Sequence, residues 1–160
     1  MGILNNDFHH DLVRPGISLY GGHYYTKMKN IIKPVIKLKA KILQIKKIMK
    51  NQYVGYNQTF KTKNNICAAI IGIGYADGIP RNLSNKGYIF YKNFKFKIIG
   101  RVSMDTLTIN ITRKKHLFKI CRYVEIINYS YGIDYFAKEC HTISNEILTS
   151  IGSRVQRIYK

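Results

Sequence analysis

The feature that most constrains this chain is a strict two-residue alternation. Ile36, Leu38, Ala40 and Ile42 are apolar, and Lys37, Lys39 and Lys41 stand between them. Period two is the repeat of a half-buried β-strand; on a helix it would scatter the apolar groups around the circumference. Residues 36–48 are therefore predicted as a strand with a lysine face turned to water. Further strands are predicted at Tyr53–Phe60, Thr106–Ile111 and Tyr123–Ile127, and at Ile66–Gly74, which is apolar on both faces and so central. Gly87–Tyr91 and Phe94–Val102 read as a hairpin turning at Lys92-Asn93, because Asn tolerates the left-handed conformation of a tight turn. Val13–Tyr20 is strand-like, interrupted by Pro15 and Gly16 and stopped by Gly21-Gly22. Two helices are predicted. Ile133–His141 has Asp134 in its first turn and Phe136, Ala137 and Cys140 on one face; Ser144–Ile151 has Ser144 as cap and Gly152 as stop. Arg154–Tyr159 reads as extended. Short strands separated by turns make the fold α+β and mostly β, a barrel-like or sandwich architecture.

The 160 residues allow one domain, or a domain plus a fragment. With 46% hydrophobic residues, disorder is excluded. No apolar run reaches the ~20 residues of a membrane span, and Met1–Asp11 lacks a signal pattern, so a cytoplasmic location is expected. The net charge of +19 is compatible with an anionic partner, nucleic acid included. It is equally compatible with the codon bias of an AT-rich genome, to which the abundance of Lys, Ile, Asn and Tyr and the absence of Trp also point. The basic residues are spread along the chain, and no aromatics interleave with the lysines of 36–48, so nucleic acid is the disfavoured reading. Cys67, Cys121 and Cys140 show no C-x-x-C spacing; Cys67, in the most apolar run, reads as core.

No single motif proves catalysis. Gly72-x-Gly74 lacks the third glycine of a dinucleotide fingerprint, the five histidines have no metal-ligand spacing, and no serine sits in a nucleophile elbow. The residues left with chemistry to offer stand beside turns: Arg14, Tyr56, Tyr75, Asp77, Arg81, Arg101 and Asp105. Arginines near glycine and tyrosine at loop ends suit a small anion.

In order, the segments Val13-Arg-Pro-Gly-Ile-Ser-Leu-Tyr-Gly21, Val54-Gly-Tyr-Asn-Gln-Thr-Phe60, Ile73-Gly-Tyr-Ala-Asp-Gly-Ile-Pro-Arg81, Ile99-Gly-Arg-Val-Ser-Met-Asp105, Asn145-Glu-Ile-Leu148 and Arg154-Val-Gln-Arg157 resemble alanine racemase. That family joins an N-terminal (β/α)8 barrel, which binds pyridoxal 5'-phosphate, to a C-terminal domain built mostly of β-strands. The resemblance implies that residues 1–22 are the end of the barrel, its last strand and lead-in, and that residues 23–160 are the C-terminal β domain. The barrel's catalytic lysine belongs to a segment without a counterpart here.

The resemblance also implies roles. Arg14 would hydrogen-bond the pyridine nitrogen of the cofactor, and Gly16, Ile17 and Asn145 would hold its phosphate. Tyr56 would be the second base, facing the L-alanine α-proton, while the lysine serves the other face. A phenol titrates near 10, so a tyrosine base needs a neighbouring cation. Met104 would contact the substrate carboxylate through its backbone amide. Tyr75, Arg81 and Arg101 would line the entrance to the site, with Asp105 orienting its neighbours. Two departures stand out: Asn145 where the family has Tyr, and Asn57 where it tends to have Gly. The activity so implied is interconversion of L- and D-alanine for peptidoglycan precursors. The partner is a second copy or a separate barrel chain, and no membrane or metal is involved. The alternatives are an inactive remnant of a split gene and a basic nucleic-acid-binding module. The Gly74–Gly78 segment argues against the related decarboxylases.

Overall fold

The computed structural model describes residues 5–23, 31–120 and 122–159; Cys121 lies outside them. The main sheet is antiparallel throughout and is built from β1 (Leu38–Ile48), β4 (Ile66–Ile71), β5 (Tyr88–Tyr91), β6 (Phe94–Lys97), β7 (Leu107–Asn110) and β8 (Tyr123–Ile127). Its order is β6-β5-β8-β1-β4-β7. The chain leaving β6 then closes it: Ile98 N–H donates to Gly87 O at 2.9 Å, Ile98 bridges Ile109 of β7, and Ile99 N–H donates to Thr108 O at 2.9 Å. The two sheet edges thus meet just past the end of β6. The result is a small barrel filled by Ile42, Ile71, Ile109, Ile126 and Ile127, each without exposure.

The alternation of β1 holds as far as Ile42, with Leu38, Ala40 and Ile42 inside and Lys39 and Lys41 outside. The register against β4 then slips between Ile42 and Gln44. This bulge turns Leu43 outward, where its methyls lie 3.1 Å from where a Cβ on Gly72 would be. The lysine face has partners invisible in its own segment. Lys37 and Lys39 flank Glu125 of β8 at 3.5 and 3.8 Å. Lys37 also sits 4.4 Å from the ring centre of Tyr129, and Lys41 5.7 Å from that of Tyr123. Aromatics do interleave with these lysines, supplied by the neighbouring strand and the turn after it.

Three predicted elements are corrected. Tyr53–Phe60 is not one strand but a hairpin of β2 (Tyr53–Val54) and β3 (Phe60–Lys61) with a 3-10 turn at Tyr56–Gln58. Val13–Tyr20 is not a strand: Gly16–Tyr20 forms a 3-10 turn, which Gly16 enters at φ +57°. Ser144 does not cap its helix. Helix α1 spans Ile133–Glu139 and α2 spans Ser144–Ser150, whose cap position is Ile143. Ser144 Oγ instead donates to Asp134 Oδ1 at 2.5 Å. The helix ends on extended Ile151, so Gly152 is not needed as a left-handed stop. The hairpin at Lys92-Asn93 forms as predicted, with φ of +46° and +65°, and β4 lies between β1 and β7 as its two apolar faces require.

Cys67 is only half-buried, whereas Cys140, beside Phe136 and Ala137 on the inner face of α1, is fully packed. Burial, with Glu139 and Glu146 adding to it, pushes the Cys140 thiol from an ordinary value near 9 up to about 12. Iodoacetamide at mildly alkaline pH should therefore spare Cys140 in the folded chain and label it after unfolding, read by peptide mass. The folded thiol stays protonated while the unfolded one ionises. Its contribution is therefore complete below about 9 and is lost as pH rises towards about 12.

Candidate active site

Tyr56 projects from the tip of the β2–β3 hairpin, 68% exposed. The tip reverses through Gly55 (φ +76°), Asn57 (φ +56°) and Gln58 (φ +51°). Left-handed backbone at a residue such as Gln costs of order 1 kcal/mol and persists only where its surroundings enforce it. Here they do. A Cβ on Gly55 would fall 2.8 Å from Arg101 N, and one on Gly100 would fall 2.6 Å from Val54 O, so hairpin and loop lie backbone to backbone. Beneath them Val54 and Ile99 pack with Ile48 and Ala68 in a small core of their own. The exposed phenol therefore stands on a rigid base.

A second pair of loops lies alongside. Tyr75 N–H donates to Ser103 O and Ala76 N–H to Met104 O, both at 3.0 Å, joining segment 74–78 to segment 101–106. Asp77 is buried, accepts from Gly74 N–H at 2.9 Å, and meets Arg154 Nε at 3.3 Å. Arg154 Nη2 reaches Asp105 Oδ1 at 2.6 Å. Arg154 thus ties both loops to the C-terminal tail, and Asp105, the side chain hydrogen-bonded to it, raises its pKa most, with Asp77 adding to the effect. Tyr75 and Met104 remain about half exposed. The Arg81 guanidinium lies 6.0 Å from the Tyr75 ring centre. Arg101 is half-buried, and its Nε has no hydrogen-bond partner among the described residues. That nitrogen is closed off from solvent, so what Arg101 offers an anionic oxygen is the fixed positive charge of its guanidinium.

Arg14, Gly16, Ile17 and Asn145 belong to a different neighbourhood. Arg14 and Asn145 are exposed and Ile17 is buried. Asp134 holds this group together: its Oδ2 accepts from His23 N–H at 2.9 Å and its Oδ1 from Ser144 Oγ at 2.5 Å. The turn carrying Gly16 and Ile17 is thereby fastened next to the start of α2, where Asn145 lies. The other end of α2 rests on the first neighbourhood, with Ser150 Oγ 3.3 Å from Gly78 O. At 1.5 Å rise per residue the helix spans about 10 Å, so the two groups of residues flank one short helix.

Sequence reasoning missed Arg154 as a tie and Asn85 entirely. Arg154 stands in the motif Arg154-Val-Gln-Arg157, which gave it no role; its two carboxylate partners come from loops 77 and 49 positions away and leave no local pattern.

Fold and site together define the class: a closed antiparallel β-barrel domain with one loop face that gathers tyrosine, methionine and arginine side chains. The family profile described as alanine racemase, C-terminal domain, matches residues 35–159. The alanine racemase of Brucella ovis is 38% identical over 98% of this chain and 43% of its own length, and that of Acidiphilium cryptum is 41% identical over 98% and 44%. The crystal structure of alanine racemase from Bartonella henselae with covalently bound pyridoxal phosphate superposes with a TM-score of 0.91 at 40% identity, over 98% of this chain and 44% of that one. The chain belongs to the alanine racemase family and corresponds to its C-terminal β domain. It spans less than half the length of these relatives.

The residues present fit the family's cofactor. Gly16 has positive φ and open space where a Cβ would be, so backbone can approach a phosphate closely there, and Arg14 offers an exposed cation two residues before it. Among the described residues no helix is long and apolar enough to cross a membrane.

Proposed function

We propose that this chain is the substrate-side half of a pyridoxal-phosphate-dependent racemase that interconverts L- and D-alanine, completed by an N-terminal barrel. In this reading residues 1–22 are the end of that barrel and residues 23–160 the C-terminal β domain. Bound pyridoxal phosphate acts as an electron sink and acidifies the α C–H of alanine. The remaining work falls to side chains and backbone amides of the protein. Tyr56 takes or returns the α-proton on one face. Its phenol stands clear of its own barrel, which suits insertion into a site formed with another domain or a second copy. The charges of Arg101 and Arg81 draw the substrate carboxylate inward, and the backbone amide of Met104 receives it. Asp105 and Arg154 hold that loop in place. Arg14 faces the pyridine nitrogen and keeps it unprotonated, because a guanidinium holds its charge at all working pH values. Gly16, Ile17 and Asn145 hold the phosphate.

The observation that carries this reading is the pinned hairpin: a tyrosine held out from a rigid tip beside half-buried Arg101 is a poor arrangement for packing and a good one for proton transfer. The test joins this chain to the N-terminal barrel of a family relative and follows D-alanine formation from L-alanine with a D-amino-acid oxidase assay. Turnover that depends on added pyridoxal phosphate is expected. A fusion that binds the cofactor yet forms no D-alanine, although the donor racemase does so under the same conditions, would refute the proposal.

A further inference from the structure

We propose that Asn85 is a positioning residue that sets the reach of Tyr56; the proposal rests on the racemase reading above. Asn85 follows the 3-10 turn Arg81–Leu83 and adopts φ +61°, a conformation that Asn tolerates better than most side chains. Its amide uses both of its ends. Oδ1 accepts from Gly100 N–H at 2.7 Å, and Nδ2 donates to Thr59 Oγ1 at 3.2 Å. Its own N–H donates to Gly100 O at 3.2 Å. The side chain thus bridges the two partners between which Tyr56 is held: the Gly100-Arg101 loop, against which Gly55 lies, and the returning limb of the hairpin at Thr59. Without it, the limb before Tyr56 stays pressed on Arg101, while the limb after it is held from Phe60 onward, by the pairing of β2 with β3 and the bonds of Thr62 to Gln52 and Met49, beyond the Thr59 side of the tip. Ser84 strengthens the same stitch, its Oγ accepting from Val102 N–H at 3.0 Å.

The chemistry explains the choice of residue. One group must accept a backbone N–H and donate to a hydroxyl while sitting at positive φ; an amide side chain does both, and an aliphatic one does neither. Proton transfer is sensitive to displacements of about 1 Å, so a tether at the hairpin acts on rate more than on binding.

The test compares Asn85→Gly, which keeps the positive φ and loses both side-chain bonds, with Thr59→Val, an exposed change that loses one and leaves the fold intact. In the chain itself, amide hydrogen exchange across residues 53–61 should quicken while β1, β4 and β8 keep their protection. In the enzyme completed by a barrel, solvent deuterium wash-in at the α-carbon of L-alanine should fall by about tenfold for Asn85→Gly and less for Thr59→Val. Wash-in for D-alanine and the KM should stay within about twofold. Tyr56→Phe serves as the reference. If it slows both enantiomers equally, the base assignment fails and this inference with it. If it slows L-alanine selectively while the Asn85 and Thr59 variants behave as wild type, or slow both enantiomers alike, Tyr56 stands and the positioning role of Asn85 is overturned.

Discussion

Replacing Tyr56 with Phe should slow exchange of the α-proton of L-alanine by roughly 10²–10⁴-fold, the usual contribution of a general acid–base group. The substitution removes one oxygen from a side chain that is 68% exposed at the hairpin tip, so the fold loses almost nothing. Proton exchange of D-alanine, served in the proposed enzyme by the lysine on the opposite face, should change far less. The measurement is solvent deuterium incorporation into each enantiomer, followed by mass spectrometry in the enzyme completed by a barrel. The asymmetry is the diagnostic feature: a tyrosine that merely packed the site would lower both exchanges together. Small, equal effects would remove Tyr56 from the chemistry.

The second large effect is structural. Gly74→Ala should destabilise the chain by about 3–5 kcal/mol, from ~1–3 of overpacking and about 1 for each of the two hydrogen bonds stretched. A Cβ at Gly74 would lie 2.3 Å from the carbonyl oxygens of both Ser103 and Met104. These are backbone atoms and cannot swing aside. The two 3.0 Å bonds that join Tyr75 and Ala76 to the Met104 loop would have to open. Gly74 itself has φ of −148°, so the cost is steric and owes nothing to backbone conformation. Gly152→Ala is the control, since its Cβ would meet only Ala76 O at 3.8 Å and φ is not positive; a change within about 0.5 kcal/mol is expected. Urea midpoints compare the three proteins. A Gly74→Ala variant as stable as the control would show that the two loops are not held at this distance.

The barrel was readable where local pattern and tertiary environment agree. Leu38, Ala40 and Ile42 alternate with lysines because one side of β1 faces the packed interior and the other faces water. Lys92-Asn93 turn the chain because two consecutive residues must take positive φ there. The pattern failed at Tyr53–Phe60, where β-prone residues stand on both sides of Gly55 and Asn57 and the segment between them is in fact a turn. Asn57 tolerates positive φ, but nothing in Gln58 announces a left-handed pair, since Gln resists that conformation and accepts it only when the flanking backbone is clamped. Cys67 is only half-buried for a similar reason: burial follows from which strand or helix covers a residue, and an apolar run alone does not say; Cys140 is buried with Phe136 and Ala137, the face its helical spacing shares.

By itself, then, the sequence determined the strand-rich class, the positions of most strands and both helices, and a set of tyrosines, arginines and glycines beside turns whose order resembles one family. Those properties depend on a few neighbouring residues, through side-chain periodicity, φ preference and charge. Tertiary structure alone decided the closure of the sheet between Ile98 and Ile109 and the division of the site residues between the two ends of α2. It also brought Asn85 and Arg154 to loops far from them along the chain. These are contacts between remote segments. Each depends on how the barrel is wound, and a hydrogen bond or ion pair made across such a distance leaves no period in the sequence from which it could be read.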